Sequence, residues 1–188
     1  MAQAGVAGSK KNAARQGRLI VFIDESGVSE RPTRVKTWAP KGETPVLQYH
    51  FKWHQLSLIA GLHFKSLCFR MHEGAIAKEE VRDFLKALLD HFRRPLLIIW
   101  DNGQPHRSRL VRDYVASTDG KLQLHFLPGY APELNPVEFL WGWLKRHALA
   151  NFCADGFDHL RVTTRNKLKS AQRRSAIVAS CWQQADLF

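Results

Sequence analysis

The chain has 188 residues, 45% of them apolar, and 28 lysines and arginines against 17 aspartates and glutamates give it a formal charge of +11 at pH 7. This composition predicts one folded domain, excludes a disordered tail, and favours a polyanionic partner such as nucleic acid over an acidic or neutral one. Three widely spaced cysteines, and no apolar run long enough for a signal peptide or a membrane span, predict a cytoplasmic protein with no membrane partner.

The first predicted elements are a basic arm and a group of strands. Residues 1–17 hold basic, small and polar residues and no acidic one, which predicts a flexible basic N-terminal arm before a domain at 18–188. A continuous apolar, β-branched run then predicts a strand buried on both faces, and this run ends in Asp24. Further strand-like runs lie around residues 46–51, 56–64 and 66–71, with the spacing of hairpin partners, and they predict an antiparallel meander.

The second half of the chain alternates helices and strands. Apolar residues take a helical period over residues 78–92, and residues 96–100 form a second buried strand that ends in Asp101. A helix, a strand at 122–127 and a helix beginning near Pro136 follow, and a basic helical segment closes the chain. This order predicts an α/β domain with a mixed sheet, antiparallel in its first three strands, with helices on both faces.

Three acidic residues stand at the ends of these predicted elements. Asp24 and Asp101 each end an apolar strand, where an ionised carboxylate must be paired, hydrogen-bonded or bound to metal. If the two strands are neighbours, Glu138 in the first turn of the later helix could complete a cluster that repels itself without a cation. Hard carboxylate oxygens fit Mg²⁺, or Mn²⁺ as a substitute. Two such ions, roughly 3.5–4 Å apart, would serve an in-line phosphoryl displacement.

Each carboxylate also has a purely structural interpretation. Asp24 could accept hydrogen bonds in the turn that follows it, and Asp101 could form an Asx turn with Gly103. Glu138 lies three residues after Asn135, a good N-cap, and could close a capping box onto the backbone N–H of Asn135. The coincidence of three such residues at two strand ends and one helix start favours the functional interpretation.

Three motifs, in order, carry a resemblance to a known family. They occupy residues 22–27, 101–108 and 130–138, and Leu140, Trp141 and Lys145 extend the last of them. Residues 38–42 match a further recurrent stretch. The set resembles the catalytic domain of the mariner-like insertion-sequence transposases, which are DDE superfamily endonucleases with a ribonuclease-H-like fold.

The resemblance implies a function and a site. Residues 18–188 would be a DDE catalytic domain in which Asp24, Asp101 and Glu138 are the catalytic metal ligands. The implied activity is metal-dependent cleavage of double-stranded DNA at transposon ends, then transfer of the freed 3′-hydroxyl into target DNA, by a homo-oligomer in the bacterial nucleoid. Such transposases carry helix-turn-helix modules before this domain, so the resemblance also implies a separate DNA-recognition half.

Other residues and other functions are weighed beside this interpretation. Asn102 is a candidate to hydrogen-bond the metal shell or DNA, and its alternative is a simple turn residue. His106 is a candidate to contact a phosphate or the carboxylates, and its alternative is a side chain at the start of a helix. Trp141 is expected to lie in the core, and Trp143 is expected to stack on a base or to pack against a partner subunit. Two other functions stay open, a nuclease of the same fold that only hydrolyses and a catalytic half that needs a helix-turn-helix partner. The predicted phosphate contacts are Lys145, Arg146, Arg165 and Lys169.

Overall fold

The computed structural model describes residues 12–49, 54–129 and 131–185. Its strands are β1 (Leu19–Ser29), β2 (Gln55–His63), β3 (Ser66–Glu73), β4 (Leu96–Trp100) and β5 (Leu122–Phe126). They form one sheet in the order β3-β2-β1-β4-β5, in which β1, β2 and β3 are antiparallel neighbours and β4 and β5 run parallel to β1. The predicted mixed sheet with three antiparallel first strands is confirmed.

The helices cover both faces of this sheet. On one face lie α1 (Lys78–Phe92) and α2 (Arg109–Ala116), the two crossover helices on either side of β4. On the other lie α3 (Pro136–Trp143), the π-helical turn Leu144–Ala148 that continues it, α4 (Phe157–Arg173) and α5 (Ser175–Gln184). None of the described helices is long and apolar enough to cross a membrane.

Two hydrophobic cores explain the continuous apolar runs of β1 and β4. Successive side chains of a strand point to opposite faces. Phe22 accordingly packs into the core under α3, whereas Val21 and Ile23 pack into the core under α1. All five residues of β4 are buried. The prediction that these strands are buried on both faces is therefore confirmed.

The strand predicted around residues 46–51 is wrong where the structure describes it. Residues 46–49 form no strand and Val46 is 79% exposed, while residues 50–53 lie outside the described part of the chain. β2 occupies the place beside β1, pairing from Phe22↔Leu62 to Ser29↔Gln55, and β3 covers the other side of β2. With β2 on one side and β4 on the other, no edge of β1 is left for residues 46–49.

Most of the predicted N-terminal arm also lies outside the described residues. Of residues 1–17, the structure describes the last six. Residues 12–15 form a helical turn, and Ala13 is 2% exposed within the core on the α3 face of the sheet. This part of the segment is packed against the domain, and the boundary between arm and domain stays a prediction.

Candidate active site

The parallel pairing of β1 and β4 brings the two aspartates to the same level of the sheet. Phe22 pairs with Ile99, and Asp24 and Asp101 each stand two residues further along the chain. Because side chains alternate along a strand, Asp24 continues the row of Phe22, which faces α3. The carboxylate of Asp101, one residue past the end of β4, is turned toward His106. β4 ends at Trp100, as predicted, whereas β1 does not end at Asp24 but runs on to Ser29, since β2 pairs with its remaining residues.

Asp24 lies in a partly buried, electronegative position. Burial, followed by the negative charges of Glu138, Glu25 and Asp101, raises the pKa of Asp24 to about 8, although a hydrogen bond from Trp141 lowers it. That bond runs from Nε1 of Trp141 to Oδ2 of Asp24 over 2.8 Å. The aspartate is therefore oriented by the helix opposite and sits among acidic groups that disfavour its ionised form.

Glu138 is placed by the way in which α3 begins. The buried Asn135 side chain accepts a hydrogen bond from the N–H of Val137 (3.1 Å) and donates one to the carbonyl oxygen of Ile23 (3.1 Å). The start of the helix is thereby attached to β1 one residue before Asp24. The N–H of Asn135 donates to the carbonyl oxygen of Pro132 (2.9 Å) and is thus not the partner of Glu138. The capping-box interpretation of Glu138 is not what the structure shows.

The double attachment of Asn135 supports a prediction. Replacement of Asn135 by alanine should lower the free energy of unfolding by about 2–3 kcal/mol, because it removes an N-cap and leaves a buried carbonyl oxygen without its donor. Urea unfolding measures this loss. The exposed Asn102 provides a matched control, and an equal effect of alanine there, or no effect at position 135, would contradict the prediction.

His106 connects Asp101 to β1. The ring is 3% exposed and stacks on Trp100, with centroids 4.2 Å apart and 7° between planes. Its Nδ1 lies 2.6 Å from Oδ1 of Asp101 and its Nε2 lies 2.9 Å from Oε1 of Glu25. Burial lowers the pKa of His106, but the hydrogen bond and charge of Glu25 and the charge of Asp101 outweigh it, so that the pKa is raised. The protonated ring can donate to both carboxylates at once.

The loop after β4 takes the turn that was the structural alternative for Asp101. Oδ1 of Asp101 accepts a hydrogen bond from the N–H of Gly103 (3.0 Å). Asp101 is nevertheless 61% exposed at its side chain, and Asn102 beside it is exposed as well. The turn therefore orients the carboxylate without covering it.

The donor chemistry of this cluster fits a divalent cation. Asp24, Asp101 and Glu138 offer only hard oxygen atoms, and burial together with the neighbouring carboxylates raises the pKa of Asp24. As the side chains stand, no three His, Cys, Asp or Glu residues in the described part of the chain lie close enough to hold one ion. Asp101 and Glu138 are exposed, so that rotation of these two side chains is the movement that a shared ion would need.

One of the predicted phosphate contacts lies beside this cluster. Lys145 belongs to the π-helical turn, and its Nζ donates to Oγ of Ser26 over 2.8 Å. Ser26 is two residues after Asp24 and on the same face of β1, so this ammonium group lies on the α3 side of the strand, two residues along from Asp24. Arg146 follows it and is exposed. Arg165 and Lys169 are exposed on α4, which packs against the edge strand β3, and the structure does not bring them to the aspartates.

A comparison with family models decides the family. The model of the DDE superfamily endonucleases matches residues 19–161, which include Asp24, Asp101 and Glu138. The chain belongs to this family. No curated protein matches the chain.

Solved structures of the Mos1 transposase share the fold of this chain. A Mos1 mariner paired-end complex with Mn has a TM-score of 0.70 at 16% identity and covers 97% of this chain and 57% of its own. The Mos1 strand transfer complex has a TM-score of 0.67 at 16% identity, with 98% and 58% covered. The Mos1 catalytic domain alone has a TM-score of 0.66 at 14% identity, with 98% and 87% covered. The chain thus spans less than two thirds of the longer Mos1 chains.

Two partners of the site were not predicted from the sequence. Glu25 follows Asp24 directly, and alternation sends it to the opposite face of the strand, where it meets His106. Trp141 was predicted in the core, and at 3% exposure it is, but its bond to Asp24 was not foreseen. The available signal was a polar-tipped aromatic residue at a buried helix position, which usually finds a hydrogen-bond acceptor.

Proposed function

We propose that this chain is the catalytic domain of a transposase that cleaves double-stranded DNA at the ends of a mobile element and joins the freed 3′-hydroxyl to target DNA. The observation that carries the proposal is the convergence of the three motifs, with Asp24 and Asp101 at one level of neighbouring parallel strands and Glu138 within electrostatic reach of Asp24. The family and the fold shared with the Mos1 strand transfer complex support it.

In this proposal Asp24, Asp101 and Glu138 bind two divalent cations. Mg²⁺ is the natural ion, and Mn²⁺ can substitute for it. Such ions activate a water or a 3′-hydroxyl as nucleophile and stabilise the leaving oxygen. Mos1, of the same fold, was solved with Mn. Carboxylate and water oxygens are the ligands that these cations prefer, which supports the assignment.

The residues of the chain itself would bind and orient the DNA strand. Trp141 fixes one oxygen of Asp24, and His106 fixes Asp101 against Glu25. Lys145, held at Ser26, is placed to contact a phosphate next to the carboxylates. These bonds orient the charged groups before substrate arrives, which reduces the reorganisation that the reaction requires.

Three further features belong to the proposal. The protein acts as a homo-oligomer on DNA, a separate segment or partner recognises the transposon ends, and the complex works in the bacterial nucleoid. The Mos1 structures support the first two, since one is a paired-end complex and the Mos1 chains extend beyond the part that this chain covers. The formal charge of +11 supports binding to a polyanion.

An assay that supplies a DNA fragment with a free 3′-hydroxyl and a supercoiled plasmid tests this function. With Mg²⁺ or Mn²⁺ the wild-type protein should produce plasmid joined to the fragment, and chelation of the metal should remove that product. Nicked plasmid without joined product would favour the hydrolytic nuclease instead. Products that form only after a helix-turn-helix polypeptide is added would indicate that the chain is one half of a two-part enzyme.

A further inference from the structure

A groove of about 850 Å³ lies between α5 and the outer face of α3, and Glu138 stands at its rim. Two neighbouring rows of α3 and of the π-helical turn form its floor, one with Glu138, Gly142 and Arg146 and the other with Phe139, Trp143 and His147. Residues four apart on a helix share a face. The groove therefore runs from the carboxylate cluster to a pair of basic side chains along one side of the third-motif helix.

Within the described part of the chain, no close contact requires a glycine at position 142, in the middle of this floor. Its backbone has ordinary helical geometry without a positive φ, and a Cβ built on it would meet no atom within 4 Å. Glycine inside a helix is less stable than alanine, because it loses more backbone freedom on folding. The missing side chain leaves open space one helical turn beyond Glu138, where an occupant of the groove would lie.

The chemistry of the walls selects the class of occupant. Phe139 and Trp143 are half-buried aromatic rings, and nucleobases stack on such rings whatever their sequence. Arg146 at the far end is exposed and suits a phosphate, while Glu138 and Glu133 at the near end leave that rim unsuited to an anion. A nucleotide fits this arrangement when its neutral base lies above the rings and its phosphate points toward Arg146, away from the acidic rim.

We propose that this groove binds one nucleotide of the DNA strand that passes the carboxylates, with its base stacked on Trp143 and its space provided by Gly142. The proposal rests on the proposed function, because it takes the strand at the carboxylates to be DNA. It adds a binding site for an unpaired base outside the metal ligands. Contacts to a base face are tolerant of sequence, so the groove would hold the strand without selecting it.

The test compares a short oligothymidylate with an abasic oligonucleotide of the same backbone length, each binding to the wild-type protein in a titration followed by fluorescence anisotropy. The wild type should bind the base-bearing strand about tenfold more tightly, as expected for one stacked base. Trp143→Leu should remove that advantage and leave the abasic strand unaffected, and Trp143→Phe should restore most of it. Gly142→Leu should also weaken the base-bearing strand, with a Tm at or above that of the wild type.

Equal binding of both strands by the wild-type protein, or wild-type preference in Trp143→Leu and Gly142→Leu, would overturn the proposal. The proposal would also be overturned if Trp143→Leu and Gly142→Leu changed the sedimentation of the DNA-free protein but not its preference for the base-bearing strand. The groove would then bind a second copy of the chain. Plasmid nicking separates this from the proposed function. If the wild-type protein nicks plasmid but binds both strands equally, the groove proposal is wrong and the proposed function stands. If it prefers the base-bearing strand but never nicks plasmid, the transposase proposal is wrong.

Discussion

Replacement of Asp24 by asparagine is expected to abolish metal-dependent nicking and, in the same protein, to stabilise the metal-free fold. Loss of a metal-binding carboxylate should reduce nicking by ~10²–10³-fold or more, since removal of one group that stabilises the transition state has an effect of this order. DNA binding should stay close to wild type, because the change removes a negative charge and no basic residue. Plasmid nicking and anisotropy measure the two effects separately.

The stability gain follows from the raised pKa of Asp24. The value is about 8 in the folded protein against an ordinary 3.8, so between these values the folded state keeps a proton that the unfolded chain releases. The free energy of unfolding of the wild type therefore falls as pH rises through this window. An amide at position 24 does not titrate. The variant should be more stable by about 2–4 kcal/mol near pH 8 and by less near pH 5.

Asp119→Asn is the matched control for this experiment. It makes the same chemical change at an exposed loop residue with a φ of 49°, a conformation that asparagine tolerates well. It should alter neither nicking nor the pH dependence of unfolding. Mn²⁺ should stabilise the wild type and the control and not Asp24→Asn, because an ion that binds only the folded state raises its stability. Wild-type nicking in Asp24→Asn would remove Asp24 from the site.

Local patterns in the sequence were sufficient for the elements that hold this site. The apolar runs of β1 and β4, the helical period of α1 and the Asn135-Pro136 start of α3 depend on neighbours in the chain, and each of these predicted elements is present. The side-by-side position of Asp24 and Asp101 depends instead on strand order, which no local pattern contains. It could be predicted only as a consequence of the two strands being neighbours.

The errors have the same physical origin. The apolar residues at 46–49 look like a strand but have no place beside β1, where β2 is already paired. The polar residues after Asp24 look like a turn in the sequence, but β2 pairs with them, and β1 therefore continues to Ser29. The contact between Glu25 and His106 joins residues 81 positions apart across two strands, and neither residue carries a local sign of the other.

Replacement of His106 by phenylalanine is the second change with a large expected effect. The phenyl ring keeps the stack on Trp100, whereas both N–H donors are lost, and Asp101 and Glu25 are left facing each other without the charge between them. The free energy of unfolding should fall by about 2–3 kcal/mol, since two charge-assisted hydrogen bonds are lost. Nicking should fall ~10²-fold, because Asp101 loses the group that orients it.

A series of variants at His106 separates loss of the orientation of Asp101 from simple destabilisation of the fold. His106→Gln keeps an amide donor for one carboxylate and should fall between the wild type and His106→Phe in nicking and in stability. The exposed His91 on the last turn of α1 is the control, and phenylalanine there should change neither. If His106→Phe were destabilised but nicked normally at a temperature where it is folded, Asp101 would not depend on His106 for its orientation. A loss of nicking in fully folded protein, with Mn²⁺ affinity reduced in parallel, is the result that assigns His106 to positioning the carboxylate.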